Sequence, residues 1–267
     1  MTGVKAGLSK VPEVTLGFWI IKILATTLGE TGGDAVTMSL LHADKDAHNG
    51  GYLIGAGVFM ALFVAAVIVQ IATKSFRPVV YWLTIVATTT VGTAVADFAD
   101  RSLGVGYMGG SLILFALLMA SLIAWRWREG TVSVNSVRTP RAEMFYWATI
   151  LFSQTLGTAL GDWVAGTNGF GYENAALVFG AALAILAAAY FFTSLSRVFL
   201  FWAAFILTRP LGATLGDLFD KPTAQGGFEV GRFTATAILV AAMVALILLA
   251  PQRPGAHPGS ASEAPAE

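Results

Sequence analysis

Four aspartates occupy equivalent positions in an internally repeated segment, and they are the residues best placed to do chemistry. Each lies fifteen residues after a tryptophan that is itself preceded by an aromatic residue. The aspartates are Asp34, Asp97, Asp162 and Asp217. The tryptophans are Trp19, Trp82, Trp147 and Trp202. Because carboxylates are hard oxygen ligands, four of them in equivalent places predict a site for manganese, magnesium or protons.

Further polar side chains share a helical stripe with these aspartates. Glu30, present only in the first copy, would add a fifth carboxylate to the predicted metal ligands. The hydroxyls predicted to bind the same cation are those of Thr27, Thr90 and Thr155. The spacing also permits a structural interpretation, in which each aspartate caps the next element. A helix rise of about 1.5 Å per residue places each aspartate roughly 22 Å from its tryptophan, in the outer part of a membrane.

Two basic residues lie well inside apolar segments, where an unpaired charge is expensive. Lys22 occurs only in the first copy and Arg209 only in the fourth. Both are predicted to face protein or water and to have carboxylate partners such as Glu30, Asp34 or Asp217. They form either structural ion pairs or internal cations that are bound and released during transport, so both are candidate substrate-binding residues.

The composition places the chain in a membrane. Of its 267 residues, 56% are hydrophobic and 12% are charged, whereas soluble domains carry about 25% charged residues. The net charge of zero argues against a nucleic-acid partner. Because the chain has no cysteine, disulfides, thiolate metal sites and thiol redox chemistry are excluded. No cofactor is expected.

Eight segments are long and apolar enough to be predicted as membrane helices. They span residues 14–35, 52–73, 79–99, 107–127, 144–165, 173–193, 198–219 and 230–250. The odd segments carry the Trp–Gly–Asp pattern, and the even segments are plainer. We therefore predict an all-α, polytopic bundle of four tandem pseudo-symmetric helical hairpins, with the odd helices inside and the even helices outside.

This organisation divides the chain into repeats and connections. The four two-span repeats are predicted at 14–73, 79–127, 144–193 and 198–250. A polar cytoplasmic linker is predicted at 130–141, and a disordered tail rich in Pro, Ala and Ser at 251–267.

Small residues four apart recur in each odd segment, and this spacing marks close helix contact in lipid. The pairs are Gly29/Gly33, Gly92/Ala96, Gly157/Gly161 and Gly212/Gly216. The odd helices are therefore predicted to pack tightly. The repeated tryptophans form either an aromatic belt at the membrane surface or a plug at one end of the bundle.

Lysine and arginine predict the orientation. Ten lie in the termini and the connections between repeats, against four in the loops within repeats. The positive-inside rule then places both termini in the cytoplasm, with the aspartates at the external side. Since each repeat has two spans, the four repeats share one orientation and are related by rotation about the membrane normal.

Two local irregularities add weaker hypotheses. His42, Asp44, Asp46 and His48 could hold a divalent ion, but Lys45 lies among them, and a solvated loop is the favoured interpretation. Pro210 removes an amide donor in the seventh segment, which predicts a kink suited to gating or binding.

The fourfold Trp–Gly–Asp pattern resembles a bacterial family of integral membrane proteins built of four tandem two-span repeats with a characteristic Trp. The resemblance covers residues about 14–250. It implies a multi-pass protein of the bacterial inner membrane and no particular mechanism, because that family is labelled as of unknown function.

These features predict a small secondary transporter or efflux protein for a cation, manganese being one candidate. A passive cation channel and a non-transporting scaffold or sensor are the alternatives. No Ser–His pairing and no metal-ligand helix motif is present, so an enzyme is not predicted. The expected partners are the lipid bilayer and a small cation, and a homo-oligomer is compatible with the sequence.

Overall fold

Helices account for the fold of the residues that the computed structural model describes, which are 9–43, 50–166 and 170–255. No β-strand occurs among them. Eight α-helices lie in these ranges: α1 Leu16–Asp34, α2 Gly51–Ala72, α3 Pro78–Asp97, α4 Tyr107–Glu129, α5 Pro140–Gly166, α6 Gly171–Phe192, α7 Arg197–Asp220 and α8 Arg232–Leu249. Each coincides with one predicted apolar segment to within a few residues.

Local chemistry explains where several helices begin. The hydroxyls of Thr15 and Ser196 accept hydrogen bonds from the third amide of α1 and α7, as N-capping residues do. Pro78 and Pro140 begin α3 and α5, where a missing amide hydrogen carries little penalty. Six helices are long and apolar enough to cross a membrane by length and composition, namely α2, α3, α4, α6, α7 and α8.

The odd helices form a closed ring in which each packs against the next, and α7 packs against α1. The seam between neighbours is made by a glycine that lies ten residues after the repeated Trp. A side chain of the following odd helix fills the space beside it: Thr89 beside Gly29, Gln154 beside Gly92, Arg209 beside Gly157 and Thr26 beside Gly212. The predicted close packing of small residues is thus present at all four seams.

The even helices lie outside this ring. In the apolar stretches of α3 and α7, 67% and 61% of residues are buried, against 22% or fewer in each even helix. The predicted hairpins are not the packing units, however. Each even helix packs most extensively against the odd helix of the next repeat: α2 on α3, α4 on α5, α6 on α7 and α8 on α1. The four repeats therefore interlock around the ring.

Aromatic side chains close the end of the ring that bears the repeated tryptophans, called the Trp end below. The residue before each Trp contacts the Trp of the next odd helix. Ring centroids are separated by 5.5 Å for Phe18–Trp82, 5.7 Å for Tyr81–Trp147, 6.2 Å for Tyr146–Trp202 and 5.7 Å for Phe201–Trp19. The hydroxyls of Tyr81 and Tyr146 lie 2.6 Å apart. The tryptophans thus form a plug, which is one of the two arrangements that the sequence permitted.

The Trp end is also covered by the segments that precede α1, join α4 to α5 and follow α8. Ser9 donates a hydrogen bond of 2.8 Å to the carbonyl of Val134. The amide of Gly255 donates to the carbonyl of Val11 at 2.8 Å. The linker thus contributes buried contacts, and the tail is packed as far as Gly255. The remainder of the predicted disordered tail lies outside the described residues.

The glycine seam can be tested with a single methyl group. A Cβ on Gly212 would overlap Thr26, including its backbone, whereas a Cβ on Gly57 of α2 meets nothing within 4 Å. We expect Gly212→Ala to lower the free energy of unfolding by about 1–3 kcal/mol, as overpacking does. Gly57→Ala, the matched control, should leave it equal or slightly higher. Reversible unfolding in detergent measures both, and equal effects would contradict the α1–α7 seam.

Candidate functional site

Acidic side chains gather at the opposite end of the ring, called the Asp end below. Carboxylate oxygens of Glu30, Asp162 and Asp217 all lie within 4.8 Å of one another, and the same holds for Asp34, Asp217 and Asp220. Asp217 belongs to both groups, so α1, α5 and α7 contribute to one continuous acidic cluster. Three of the four repeated aspartates, Asp34, Asp162 and Asp217, are thus part of this cluster, and Glu30 lies beside them.

Asp97 joins the same region through Arg101. The Arg101 Nε lies 2.7 Å from Oδ1 of Asp97, and its Nη2 lies 3.7 Å from Oδ2 of Asp162. Arg101 thereby connects α3 to α5. The four repeated aspartates form one electrostatic network, although Asp97 enters it through a cation and not by direct contact.

Lys221 is the second cation of the cluster. Its Nζ lies 2.7 Å from Oδ2 of Asp34, 3.0 Å from Oδ1 of Asp217 and 3.9 Å from Oδ1 of Asp220. Burial alone would lower the pKa of Lys221, but the Asp217, Asp34 and Asp220 carboxylates raise it well above its usual range. Lys221 therefore stays charged and links α7 to α1. Asp220 also accepts a hydrogen bond from Nε of Arg232, at 3.0 Å.

These cations do not satisfy every buried oxygen. Oδ1 of Asp34, Oδ2 of Asp97 and Oδ1 of Asp220 are buried and have no hydrogen-bond partner among the described residues. Buried polar atoms without a partner are uncommon, because each costs roughly 1–3 kcal/mol. The cluster therefore retains oxygen atoms that are free to bind a metal ion or a proton.

Wide helical turns follow the first two aspartates and shape this end. Residues Ala35–Leu40 and Phe98–Ser102 continue α1 and α3 as π-helical turns. In the first, the Leu41 amide donates to the Val36 carbonyl at 2.9 Å. Such turns often occur at functional sites. The second contains Arg101, and it returns that side chain toward Asp97, four residues earlier.

Arg209 forms the core of the ring, with no exposed surface. Its Nη2 donates to Oε2 of Glu30 at 2.7 Å and to the hydroxyls of Thr93 and Thr158, each at 2.6 Å. One guanidinium nitrogen thus joins a residue from each of the other three odd helices. The predicted carboxylate partner of Arg209 is present, and it is Glu30.

Lys22 does not have the carboxylate partner that the sequence predicted for it. Its Nζ donates to the Thr208 hydroxyl at 3.4 Å and lies 4.2 Å from the centroid of the Phe205 ring. No carboxylate lies within ion-pair distance of it in the described part of the chain. The prediction of a carboxylate partner is therefore wrong for Lys22, because Glu30 is engaged by Arg209 nearer the Asp end.

The predicted hydroxyl ligands lie away from the acidic cluster. Thr27, Thr90 and Thr155 each donate to the carbonyl four residues earlier in their own helix. Each precedes its aspartate by seven residues, which is about 10 Å along a helix. The structure does not bring them to the cluster. In the loop hypothesis, His42 is described, whereas Asp44, Lys45, Asp46 and His48 lie outside the described residues.

Sequence reasoning did not select the cations of the cluster. Arg101 follows Asp97 by four residues, and Lys221 follows Asp217 by four. This spacing places opposite charges on one helical face, so it was a signal for both pairs. The link from Lys221 to Asp34 has no such signal, because the two are far apart in sequence.

The buried Arg209–Glu30 pair yields a test by double-mutant cycle. Glu30→Gln and Arg209→Gln should each lower the free energy of unfolding by about 3–5 kcal/mol, since each leaves one buried charge unpaired. The double variant should lose clearly less than the sum of the two. Reversible unfolding in detergent or bicelles gives all four values. Additive losses would show that the two side chains do not interact.

Comparison with known proteins gives a family and no activity. No curated protein and no solved structure is significantly similar to the chain. A family of repeats matches it in four segments, at residues 17–76, 80–131, 145–196 and 200–251. These segments cover most of the chain and coincide with the four repeats found in its sequence. The chain belongs to the family described as Repeat of Unknown Function (DUF347).

Proposed function

We propose that the protein is a small secondary transporter that moves a cation through the acidic cluster at the Asp end. The observation that carries this proposal is that two sets of three carboxylates share Asp217, and that buried oxygen atoms without a hydrogen-bond partner lie in the same cluster. Hard, divalent ions of the manganese and magnesium class match such oxygen ligands. Efflux is one direction that such a protein could serve.

The proposal includes the membrane arrangement. All eight helices span the bacterial cytoplasmic membrane, the Trp end and both termini are cytoplasmic, and the Asp end is external. The apolar exteriors of the even helices and the position of α1 and α5 in the same ring as α3 and α7 support this. The 19 residues of α1 extend about 28 Å, which is close to the thickness of the hydrocarbon layer.

Lys221 and Arg101 have a direct role in this proposal. Each ammonium or guanidinium group occupies carboxylate oxygens that an incoming cation would need. Binding of the substrate cation therefore displaces them, and they return when the cation leaves. Such exchange of an internal cation for an external one keeps the buried carboxylates paired in both states, which avoids the large cost of unpaired buried charge.

The aromatic plug favours a transporter over an open channel. Eight aromatic side chains close the Trp end, and the glycine seams leave little space between the odd helices. An ion bound at the Asp end therefore needs a change of conformation to cross. In this proposal the protein is a transporter and not an enzyme, and its partners are lipid and the transported cation.

Ion flux into proteoliposomes tests the function. The assay screens manganese, magnesium, calcium, sodium, potassium and protons. We expect flux of one ion, and Asp217→Asn should reduce it at least about tenfold, because Asp217 belongs to both carboxylate groups. The matched control is Glu173→Gln, an exposed carboxylate in the first turn of α6, which should retain flux.

The outcomes separate the alternatives. Uncoupled, saturation-free current would favour a passive channel. Flux that survives Asp217→Asn would move the site away from the acidic cluster. No flux of any cation, from protein that is folded, would contradict transport and favour a scaffold or sensor.

Displacement of Lys221 makes a separate prediction. Lys221→Met should make the protein less stable without divalent ions, because Asp34 and Asp217 lose their shared partner. Added manganese or magnesium should then stabilise the variant more than the wild type, since the competing ammonium is gone. Thermal unfolding with and without the ion measures this, and Lys74→Met, at an exposed lysine, is the control. An ion response no larger than in the wild type would contradict the competition.

A further inference from the structure

A second group of polar side chains lies in the middle of the ring, between the acidic cluster and the aromatic plug. Each of its members follows the repeated Trp by seven residues, so the four lie at one level of the four odd helices. They are Thr26, Thr89, Gln154 and Arg209. All four have no exposed surface. They are also the side chains that fill the glycine seams, which confirms their common level.

Most polar atoms of these four side chains have no partner in the part of the chain that the structure describes. The atoms concerned are both amide atoms of Gln154, the Thr89 hydroxyl, and Nε and Nη1 of Arg209. Native proteins leave only a few such atoms buried in a whole domain. Five such atoms on these side chains, three of them nitrogen atoms that carry N–H donors, indicate that this part of the ring holds a group that accepts hydrogen bonds.

The two basic side chains in this part of the ring differ in their partners. Arg209 is paired with Glu30 through Nη2, but Lys22, one turn nearer the Trp end, has no carboxylate within ion-pair distance among the described residues. Lys22 is fully buried, so its charged form is unfavourable unless an anion accompanies it.

A cavity leads toward this site from the Trp end. It has a volume of about 650 Å³ and is lined by Trp19, Leu183 and Phe201 among other residues. It reaches Thr208, whose hydroxyl accepts the hydrogen bond from Lys22. Arg197 and Glu13 both lie in its wall.

We propose that Lys22, Gln154, Thr89 and the free nitrogens of Arg209 bind a small monovalent anion of the chloride class. A monovalent anion balances the charge of Lys22 in its ammonium form, and the unpartnered N–H and O–H groups donate to it. The anion reaches the site through the cavity beside Thr208. This site is separate from the acidic cluster, and the inference does not depend on cation transport.

Anion-dependent stability tests the inference on the full chain in detergent without divalent ions. Sodium gluconate is replaced by sodium chloride, or by sodium bromide, at constant ionic strength. We expect a saturable rise in the unfolding temperature, roughly 5 °C when the site is full. Gln154→Leu and Lys22→Met should each abolish the rise.

The matched control is Gln70→Leu. Gln70 is also buried and its Oε1 also lacks a partner, but it lies on α2, outside the ring. This variant should keep the full chloride response. Gln154→Leu should fold well in gluconate, because it removes two unpartnered polar atoms. Crystals grown in bromide should show an anomalous peak within hydrogen-bond distance of Gln154.

Two results would overturn the inference. The first is a wild-type protein whose stability is the same in chloride and gluconate, which would mean that a neutral species such as water satisfies these groups. The second is an equal chloride response in the wild type and in both site variants, which would assign the effect to the protein surface. Neither result bears on cation flux, so the two proposals fail independently.

Discussion

The buried guanidinium of Arg209 is the interaction on which the rest of the structure depends. It lies where the four odd helices meet, and one of its nitrogens bonds to a side chain from each of the other three. A charge in this position requires a carboxylate, which Glu30 supplies from α1. The other copies carry smaller residues at the equivalent place, namely Thr26, Thr89 and Gln154. The pseudo-symmetric ring therefore has an asymmetric contact at its core.

Each even helix packs against the next repeat because one repeat by itself cannot bury all of its own surfaces. A two-helix unit cannot bury its own polar stripe and its own small-residue face at once, so it depends on its neighbours. Each odd helix uses a glycine to admit the next odd helix, and each even helix covers the odd helix of the next repeat. The closing contact of α8 with α1 completes this order. No repeat is then a packing unit by itself, which is why the hairpin prediction was not confirmed.

Several of the polar and charged side chains inside the ring occur in only one of the four copies. The aromatic plug and the glycine seams are present in all four copies, and they provide the scaffold. Glu30, Lys22, Gln154 and Arg209 each occur in one copy, and they lie in the ring where the symmetry would otherwise leave hydroxyl or apolar groups. The acidic cluster at the Asp end combines both kinds of residue, since four of its aspartates recur in every copy, whereas its cations Arg101 and Lys221 occur at the equivalent position of the second and fourth copies only. The ring thus has two polar levels, an acidic one at the Asp end and one in its middle, where Arg209 lies.

The sequence by itself determined the eight helices, their division into an inner and an outer set, and the residues of the glycine seams. These features follow from local periodicity and from the similarity of the four copies, and both can be read without knowing which residues are in contact. It also selected the four repeated aspartates, because their spacing is the same in every copy. Only the tertiary structure decided that Lys221 joins Asp34 and that each even helix covers the odd helix of the next repeat. It also decided that Lys22 has no carboxylate within ion-pair distance among the described residues. Those outcomes depend on contacts between residues far apart in the chain. The packing of the closed ring sets the distances between such residues, and the spacing of residues along one helix does not specify them.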